Sequence, residues 1–370
     1  MSTEVGMTDR VRNLSRTLIT HSETGVVAAT IVITLIFFLV QPAFLSESNV
    51  RSIVTAVSYL GIIAVGQTIL LVCGEFDLSV GSVAGLSAIV AADAVTRFEM
   101  PVPLGLLLGV AVGAALGLVN GLVVVRLRIP AFIQTLGMLF IASGLTQVIT
   151  NGAPIYPLPE AVTSFGQASV IAGLGWSVVF FVLLVVVGDV FLRLTVPGRN
   201  CYAVGGNEQV ARLVGINVGR YKIVAFMTTG ALAACAGIFV MANLGSATTA
   251  IGSGWELLVI AGVVVGGVSL FGGVGTVVAG AIGILLLQIV QSGLVVVGVS
   301  PNWQTVAVGL IMVVAVGLDV ARRRLVISEA SAAPATAPSL KAENPPESGS
   351  SDSANSRAND AVGGTPPTRK

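Results

Sequence analysis

The 370 residues are 54% hydrophobic and only 10% Asp, Glu, Lys or Arg, with a net charge of +1 and a mean hydropathy of +0.94. Soluble globular chains usually carry about 25% charged residues, so most of this surface does not face water. The 19 basic and 18 acidic residues are also unevenly spread, with 6 in 1–25 and 12 in 321–370. This composition excludes a soluble enzyme and a basic nucleic-acid binder, and it is typical of a protein that crosses a membrane several times.

Few residues in the chain suit metal, redox or nucleotide chemistry. Cys73, Cys201 and Cys235 are scattered without CxxC spacing, which excludes a disulfide framework and a zinc site. His21 is the single histidine, and it lies in the polar N-terminal stretch, which argues against a proton relay. The glycine run at 266–276 is followed by no GKS or GKT, so it is not a phosphate loop. We therefore expect no catalytic residue, no metal and no cofactor in this chain.

Ten candidate membrane-spanning helices follow one another along the sequence. A window of about 20 apolar residues is long enough to cross the hydrocarbon core. The weakest divisions lie at 74–78 and 271–274, where glycines interrupt nearly continuous apolar sequence, so eight or twelve spans remain alternatives. Glycines spaced four residues apart, for example Gly105, Gly109 and Gly113, are expected to form close helix–helix contacts. The predicted spans are 26–44, 52–73, 79–96, 102–125, 131–150, 174–193, 222–243, 256–271, 274–296 and 302–320.

The basic residues predict which side of the membrane each loop faces. With the N-terminus inside, 17 of the 19 Lys and Arg residues fall on one side, and only Arg51 and Arg97 fall on the other. Lys and Arg collect on the cytoplasmic side, so both termini are predicted to be cytoplasmic. We expect an all-α polytopic membrane protein: a cytoplasmic segment 1–25, a transmembrane domain 26–320, and a basic stop with a disordered tail over 321–370.

The longest predicted cytoplasmic loop, 194–220, contains a short helix. Pro197 and Gly198 end the preceding span, and residues 205–206 turn the chain. Asn207 is a suitable N-cap for a helix over 208–214. Such a helix is either a docking element for another protein or a surface helix that only orders the loop. The residues that define it are Gly205, Gly206, Asn207, Glu208, Ala211, Arg212 and Gly215.

Several polar residues interrupt the apolar spans. Asp77 or Ser79 is expected to cap the helix that follows, with contact to a transported solute as the alternative, and Glu75 is expected to reach the headgroup region. Gln134 and Thr135 either bond a neighbouring helix or face a polar pathway. Acids near span ends are expected to reach towards water, and Trp303 is expected to be an interfacial anchor beside Asn302 and Gln304. These acids are Asp93, Asp189 and Asp319.

Five segments in fixed order resemble the membrane permeases of bacterial ATP-binding-cassette sugar importers of the ribose, xylose and galactose type. The resemblance extends from about residue 45 to 324, and the tail after 326 lies outside it. One departure is Glu75, since the family commonly has GGIDLSVG where this chain has CGEFDLSVG. The segments are GEFDLSVGS (74–82), PAFIQTLG (130–137), YAVGGNEQVARLVGI (202–216), WELLVIAGVVVGGVSLFGGVGT (255–276) and NWQTVAVGLI (302–311).

The resemblance implies a fold like that of type II importers in the bacterial cytoplasmic membrane, surrounded by lipid. It implies a second permease copy or paralogue, a cytoplasmic ATPase subunit that holds ATP and magnesium, and an extracytoplasmic sugar-binding protein. It also implies that the loop helix around 206–215 is the coupling helix that contacts the ATPase. Candidate pathway or gate residues are then Asp77, Ser79, Ser82, Gln134 and Thr135.

Two other function classes are weighed against this interpretation. A secondary transporter usually needs ionisable residues near the bilayer midplane to couple an ion gradient, whereas the acids here cluster at span ends. A membrane enzyme needs a group of catalytic acids or a metal site at one membrane face, and no such group is present in the sequence. Within the importer class, the resemblance implies a pentose or hexose as the solute, with a nucleoside, a polyol, a branched-chain amino acid or a signalling sugar derivative as the alternatives.

Overall fold

The computed structural model describes residues 22–171 and 173–300, and within 302–317 all positions except 305, 308, 312 and 315. The chain divides into two units, Met1–Val326 and Ile327–Lys370, and every described residue belongs to the first. The predicted N-terminal segment up to residue 21, the whole predicted tail 321–370, His21 and Asp319 lie outside the described residues.

Within the described residues, helices account for the architecture and no β-strand forms. Isolated backbone bridges join Ile155 to Ala247 and Ile171 to Leu174. The helices are α1 Ser22–Val40, α2 Glu47–Val72, α3 Val80–Thr96, α4 Val102–Leu122, α5 Ala131–Thr150, α6 Glu160–Gln167, α7 Trp176–Leu194, α8 Val196–Gly206, α9 Glu208–Leu213, α10 Val218–Leu244, α11 Trp255–Val265 and α12 Val277–Val296.

Six helices in the described part of the chain are long and apolar enough to cross a membrane: α2, α4 with its continuation to Leu127, α5, α7, α10 and α12. Three shorter apolar helices, Thr24–Val40, α3 and α11, and the helical residues described between 302 and 317, fall where four further spans are predicted. The all-helical membrane class is therefore confirmed. The number ten and the sidedness of the termini stay predictions.

Helices α2 and α10 form the centre of the bundle. The second half of α2 is buried without interruption from Leu60 to Val72, and α10 packs against α2, α3 and most extensively α4. Glycines on α4 recur every four residues and are all buried, from Gly105 to Gly121. A Cβ on Gly117 would collide with the backbone of Phe226 on α10. The predicted role of these glycines in close helix contact is confirmed.

Three predicted boundaries are wrong, and each has a local cause. The span predicted over 256–271 ends at Val265, because Gly266 and Gly267 turn the chain. The next helix begins at 277 rather than 274, where the Thr276 side chain accepts a hydrogen bond from the Ala279 amide, 3.1 Å away. Pro197 does not end a span, because α7 already ends at Leu194, and Pro197 lies in the first turn of α8.

Candidate functional site

The short helix α9 forms where the sequence predicts it. The Asn207 side chain accepts hydrogen bonds from the amides of Gln209 (2.9 Å) and Val210 (3.1 Å), so it caps amides that a helix N-terminus leaves without partners. Gly215 follows with φ +82°, a left-handed conformation that favours glycine. Both local predictions are confirmed, although α9 ends one residue earlier than expected, at Leu213.

One face of α9 is apolar and exposed, and the other is anchored. Ala211 is buried against Val204 and Val218. By contrast, Val210, Leu213 and Val214 are 54%, 86% and 68% exposed. These three exposed aliphatic side chains form a small apolar surface, which we call the knob. Such a surface fits a groove on another protein better than it fits water.

The helix before it, α8, was not predicted, and it contacts the rest of the bundle through glycine backbones. A Cβ on Gly205 would collide with the Val72 carbonyl oxygen at the end of α2. Gly272, in the turn between α11 and α12, lies against both Gly205 and Gly74. The Gly273 amide donates a 3.0 Å hydrogen bond to the Val72 carbonyl. We call these four glycines, 74, 205, 272 and 273, the glycine junction.

Gly206 differs from its neighbour. No atom lies within 4 Å of a Cβ built on Gly206, and the residue is exposed. Residues 205 and 206 were expected to turn the chain, but they form the last residues of α8, and the turn follows at Asn207. Gly205 is therefore required by packing inside the protein, whereas Gly206 leaves open space beside α9.

A buried lysine joins α9 to the interruption between α2 and α3. The Lys222 Nζ lies 2.7 Å from Glu75 Oε1 and also forms an ion pair with Glu208, and its side chain is only 9% exposed. Arg212 Nη2 lies 3.4 Å from the second carboxylate oxygen of Glu208. Two acids thus face two bases, and the network is neutral. The expectation that Glu75 reaches the headgroup region is wrong, because its partner is an internal lysine.

The ion pairs also set the protonation of Glu208, which lies in the loop outside the membrane-spanning helices. Burial by itself raises the pKa of the Glu208 carboxyl. The hydrogen bond and positive charge of Lys222, with a smaller effect of Arg212, outweigh burial and lower the pKa below its ordinary value. The carboxylate therefore stays ionised at neutral pH.

A second hydrogen-bonding cluster surrounds Asp77. The buried Asp77 Oδ1 accepts hydrogen bonds from the Ser79 amide (2.7 Å) and the Ser79 hydroxyl (2.6 Å). Asn120 on α4 donates to Asp77 Oδ2 at 3.2 Å and to Ser79 Oγ at 3.0 Å. The Ser79 side chain does not cap α3, so only Asp77 matches the predicted role at this helix start.

Gln134 and Thr135, which the sequence groups together, lie in different environments. The Gln134 Nε2 donates a 3.1 Å hydrogen bond to Asn120 Oδ1, which extends the Asp77 cluster to α5. Thr135 is fully buried and donates to the Ala131 carbonyl of its own helix at 2.8 Å. Gln134 thus bonds a neighbouring helix, as one of the two alternatives predicts, whereas Thr135 does not.

Ser82 lies apart from the Asp77 cluster, on the wall of a polar cavity of about 130 Å³ between α3, α5 and the start of α11. Asn302 and Trp303 are exposed, the latter by 67%, and Gln304 donates a 2.8 Å hydrogen bond to the Val299 carbonyl. The interfacial role of these three residues stays a prediction.

Asp93 and Asp189 each form an ion pair with an arginine four residues further along the chain. Asp93 Oδ1 on α3 lies 3.1 Å from Nε of Arg97, which follows the last residue of that helix. Asp189 Oδ2 lies 2.8 Å from Nε of Arg193, and both residues are on α7. Both pairs have i,i+4 spacing at the last turn of a span. An arginine four residues further on is the sequence signal that would have predicted them.

Two functional side chains, Asn120 and Lys222, escaped the sequence argument. Each is a strongly polar residue inside a predicted apolar segment, and such a residue marks a partner or a function. Their partners lie 43 and 147 residues away along the chain. Sequence order alone does not identify those partners.

Comparison with known proteins agrees with this geometry. Residues 49–316 match the family model described as the branched-chain amino acid transport system / permease component. The match extends over well more than half of the chain and includes α2 to α12. The chain belongs to this permease family.

Individual relatives are similar over most of their length. The ribose import permease protein RbsC of Bacillus subtilis is 39% identical over 290 residues, which are 78% of this chain and 89% of the relative. The galactose/methyl galactoside import permease protein MglC of Escherichia coli is 35% identical over 314 residues, 80% and 94% of the two chains. The autoinducer 2 import system permease protein LsrC of an Enterobacter species is 35% identical over 82% and 88%. No solved structure matches significantly.

Proposed function

We propose that this chain is the membrane-spanning subunit of an ATP-binding-cassette importer that moves a neutral sugar, a pentose or hexose, into a bacterial cell. The observation that carries the proposal is the similarity to import permeases named for ribose and galactose, joined to a helical bundle with an exposed apolar knob on α9. A sugar needs hydroxyl and amide partners rather than a counter-charge, and buried ion pairs here are neutralised within the protein.

The energy for transport enters from a separate ATPase subunit, which holds ATP and magnesium. A groove of that subunit is proposed to bind the knob, which consists of Val210 and Leu213 on α9 and Val214 just after it. Movement of α9 reaches the interruption between α2 and α3 through the Lys222 ion pairs and through the glycine junction. The spans then exchange between outward-facing and inward-facing arrangements, as rigid helical elements do in switching proteins.

The remaining partners follow from the same proposal. A second permease, identical or paralogous, completes the pathway, and an extracytoplasmic sugar-binding protein delivers the solute. The exposed aliphatic surfaces of α4, α5 and α7, such as Leu107 (62%), Phe140 (68%) and Val186 (55%), suit lipid or that second permease. An ion-coupled secondary transporter is not favoured, because the relatives are import-system permeases.

The coupling role of α9 is tested by one exposed apolar residue. Leu213→Asp puts a charge on the knob without touching the bundle, since Leu213 is 86% exposed. We expect it to abolish ATPase association in a co-purification assay and ATP-driven sugar uptake in proteoliposomes, while membrane insertion and thermal stability stay unchanged. The matched control is Leu213→Met, which keeps an apolar side chain at the same exposed position. Normal association and uptake of Leu213→Asp would contradict the coupling role.

The powering of transport has its own test. Proteoliposomes that contain the permease and the ATPase should accumulate D-ribose, D-xylose or D-galactose only when ATP and the binding protein are present. Accumulation by the purified chain alone, driven by a proton or sodium gradient, would refute the importer assignment and support the secondary-transporter alternative.

A further inference from the structure

The polar cavity beside Ser82 differs from the other features of the bundle in the chemistry of its wall. It encloses about 130 Å³ between the first turn of α3, the middle of α5 and the residues that lead into α11. A water molecule in the liquid takes up about 30 Å³, so the cavity exceeds a single water site. Its polar lining consists of Ser82, Ser143, Thr146, Thr249, Ser253 and Glu256.

Most of these polar groups have no partner inside the protein. Thr146 donates to the carbonyl of Ala142 in its own helix. Among the described residues, the hydroxyls of Ser82, Ser143 and Ser253 make no hydrogen bond, and the Glu256 carboxylate makes no ion pair. Ser143 and Ser253 are exposed, and Ser82 and Glu256 are half-buried, so these groups are open to the cavity and to solvent. Polar groups that converge on one open cavity are available to bond a polar solute or water.

Glycines create the space for this cavity. A Cβ on Gly81 would collide with the Gly252 carbonyl and lie against the Glu256 carboxylate, and a Cβ on Gly85 would meet the Ile251 carbonyl. Gly252 and Gly254 have φ of +83° and +77°, a left-handed conformation that lets the segment fold back onto α3. Backbone therefore touches backbone at Gly81 and Gly252, and the Glu256 side chain is held at the contact.

The cavity lies part-way along the helical bundle rather than at its end. Gly237 of α10 packs against Ala84, one turn above Gly81 on α3. At 1.5 Å per residue, Gly237 is about 22 Å along α10 from Lys222 and about 10 Å from the other end of the helix. The start of α3 is thus well inside the bundle, between the ion-pair network and the opposite end.

The lining matches the hydroxyls of a sugar. Neighbouring hydroxyls of a neutral sugar can donate two hydrogen bonds to one carboxylate, and serine and threonine hydroxyls both donate and accept. The half-buried Glu256 carboxylate also disfavours an anionic solute, because two like charges at close range repel each other. Specificity against phosphorylated sugars follows from this one residue.

We propose that this cavity is a binding site for the translocated sugar within the permease, with Glu256 as the residue that accepts hydrogen bonds from two of its hydroxyls. The inference rests on the proposed import function and adds to it a solute-contacting site part-way along the helical bundle. Ser143 on α5 and Ser253 before α11 form its two opposite walls. Sugar in transit occupies the cavity when the spans close around it.

Protection of an introduced cysteine tests occupancy directly. Ser253→Cys and, in a second variant, Ser143→Cys are labelled with a small cationic methanethiosulfonate in permeabilised vesicles that contain the complete transporter. The probe sugar is whichever of D-ribose, D-xylose or D-galactose the unsubstituted transporter accumulates. We expect a saturating concentration of it to slow labelling of both cysteines about five-fold or more. The unsubstituted chain, in which Cys73 and Cys201 are buried and Cys235 is half-buried, gives the background rate, which is subtracted.

Two controls make the result specific. Ser164→Cys, exposed on α6 away from the cavity, should be labelled at the same rate with and without sugar. Glu256→Gln keeps the side-chain shape but removes the charge, and it should raise the sugar concentration for half-maximal protection of Ser253→Cys about ten-fold, a loss of about 1.4 kcal/mol. D-ribose 5-phosphate should give no protection of the chain that retains Glu256.

The failures are distinguishable. If the transporter accumulates a probe sugar with ATP but that sugar protects neither Ser253→Cys nor Ser143→Cys, the binding site is refuted while the import function stands. If sugar protects both cysteines and Glu256→Gln changes nothing, the role of Glu256 is refuted. If none of the three sugars is accumulated by the complete transporter, the proposed function itself fails, and the site fails with it.

Discussion

Lys222 joins α9 to the segment between α2 and α3 through ion pairs. Its ammonium group is nearly buried between Glu75 and Glu208, which come from segments far apart in the chain. A buried charge without a partner is costly, whereas a buried pair replaced as a whole by uncharged groups is often close to neutral. The effect of a substitution at Lys222 therefore depends on what remains opposite it.

The first prediction concerns the difference between removing Lys222 alone and replacing the Glu75–Lys222 pair as a whole. Lys222→Met should lower the free energy of unfolding by about 3 to 5 kcal/mol, because it leaves Glu75 buried without its counter-charge. Thermal melting of the purified chain in detergent measures the change. The double variant Glu75→Gln/Lys222→Met should recover much of the loss, and an equal or greater loss in the double variant would contradict the ion-pair account.

A second residue-scale prediction concerns pH. The pKa of Glu208 is lower in the folded protein than its ordinary value. Ionised Glu208 therefore stabilises the fold above its unfolded pKa, about 4.3, and this contribution is lost as the pH falls through the lower folded pKa. The melting temperature of the natural chain should exceed that of Glu208→Gln at pH 7, and the gap should close at acid pH. Glu160→Gln, which removes an exposed acid on α6, is the control for the loss of one negative charge.

At the scale of whole elements, α4 and α10 are held together by the absence of side chains. Gly113 and Gly230 lie against each other's backbones, and Gly117 lies against Phe226 and Met227. In a membrane, where apolar burial gives little net drive between helices, such close backbone approach is a main source of association. The stability of the bundle centre thus rests on positions that carry no side chain.

The third prediction separates two glycines of similar sequence context. Gly117→Ala should destabilise the protein by about 1 to 3 kcal/mol, since the new methyl group forces α4 away from α10. Gly137→Ala on α5 has nothing within 4 Å of its Cβ, so it should be neutral or stabilising by up to about 1 kcal/mol through helix propensity. Thermal melting curves of both variants measure these changes in stability. A similar loss of stability in both variants would contradict the argument from backbone contact.

At the scale of the whole molecule, the basic residues and the connections of the helices define two ends of the bundle. Arg193, Arg212 and Lys222 lie at the end that carries α8 and α9, whereas α6 lies in the connection at the other end of α5 and α7. If the basic end is cytoplasmic, as such residues predict, α9 lies on the cytoplasmic side of the membrane and α6 on the opposite side.

The fourth prediction tests this orientation. In intact cells, a membrane-impermeant maleimide should label Ser164→Cys on α6 but not Val214→Cys beside α9, and it should label Val214→Cys only after permeabilisation. Both positions are exposed, so reactivity reports sidedness rather than burial. The reverse pattern would place α9 outside the cell and remove the basis for coupling to ATP.

Local chemistry explains which features were predictable from sequence. The Asn207 cap, the Gly215 turn and the glycine ladder of α4 depend on residues a few positions apart, and all three are confirmed. The Lys222 ion pair and the Asn120 hydrogen bonds are set by packing between distant segments, so no local pattern contains them. Helix α8 was missed because Pro197 and its neighbouring glycines read as a break, although Pro197 fits the first turn of a helix.

The glycine junction has a mechanical consequence. Where two parts meet through long side chains, a small displacement is absorbed by a change of rotamer before it travels further. At residues 74, 205, 272 and 273 the main chains touch directly, so no side chain can absorb a displacement there. A displacement of α8 by even a fraction of an ångström therefore also displaces the end of α2 and the turn before α12, so these parts move together.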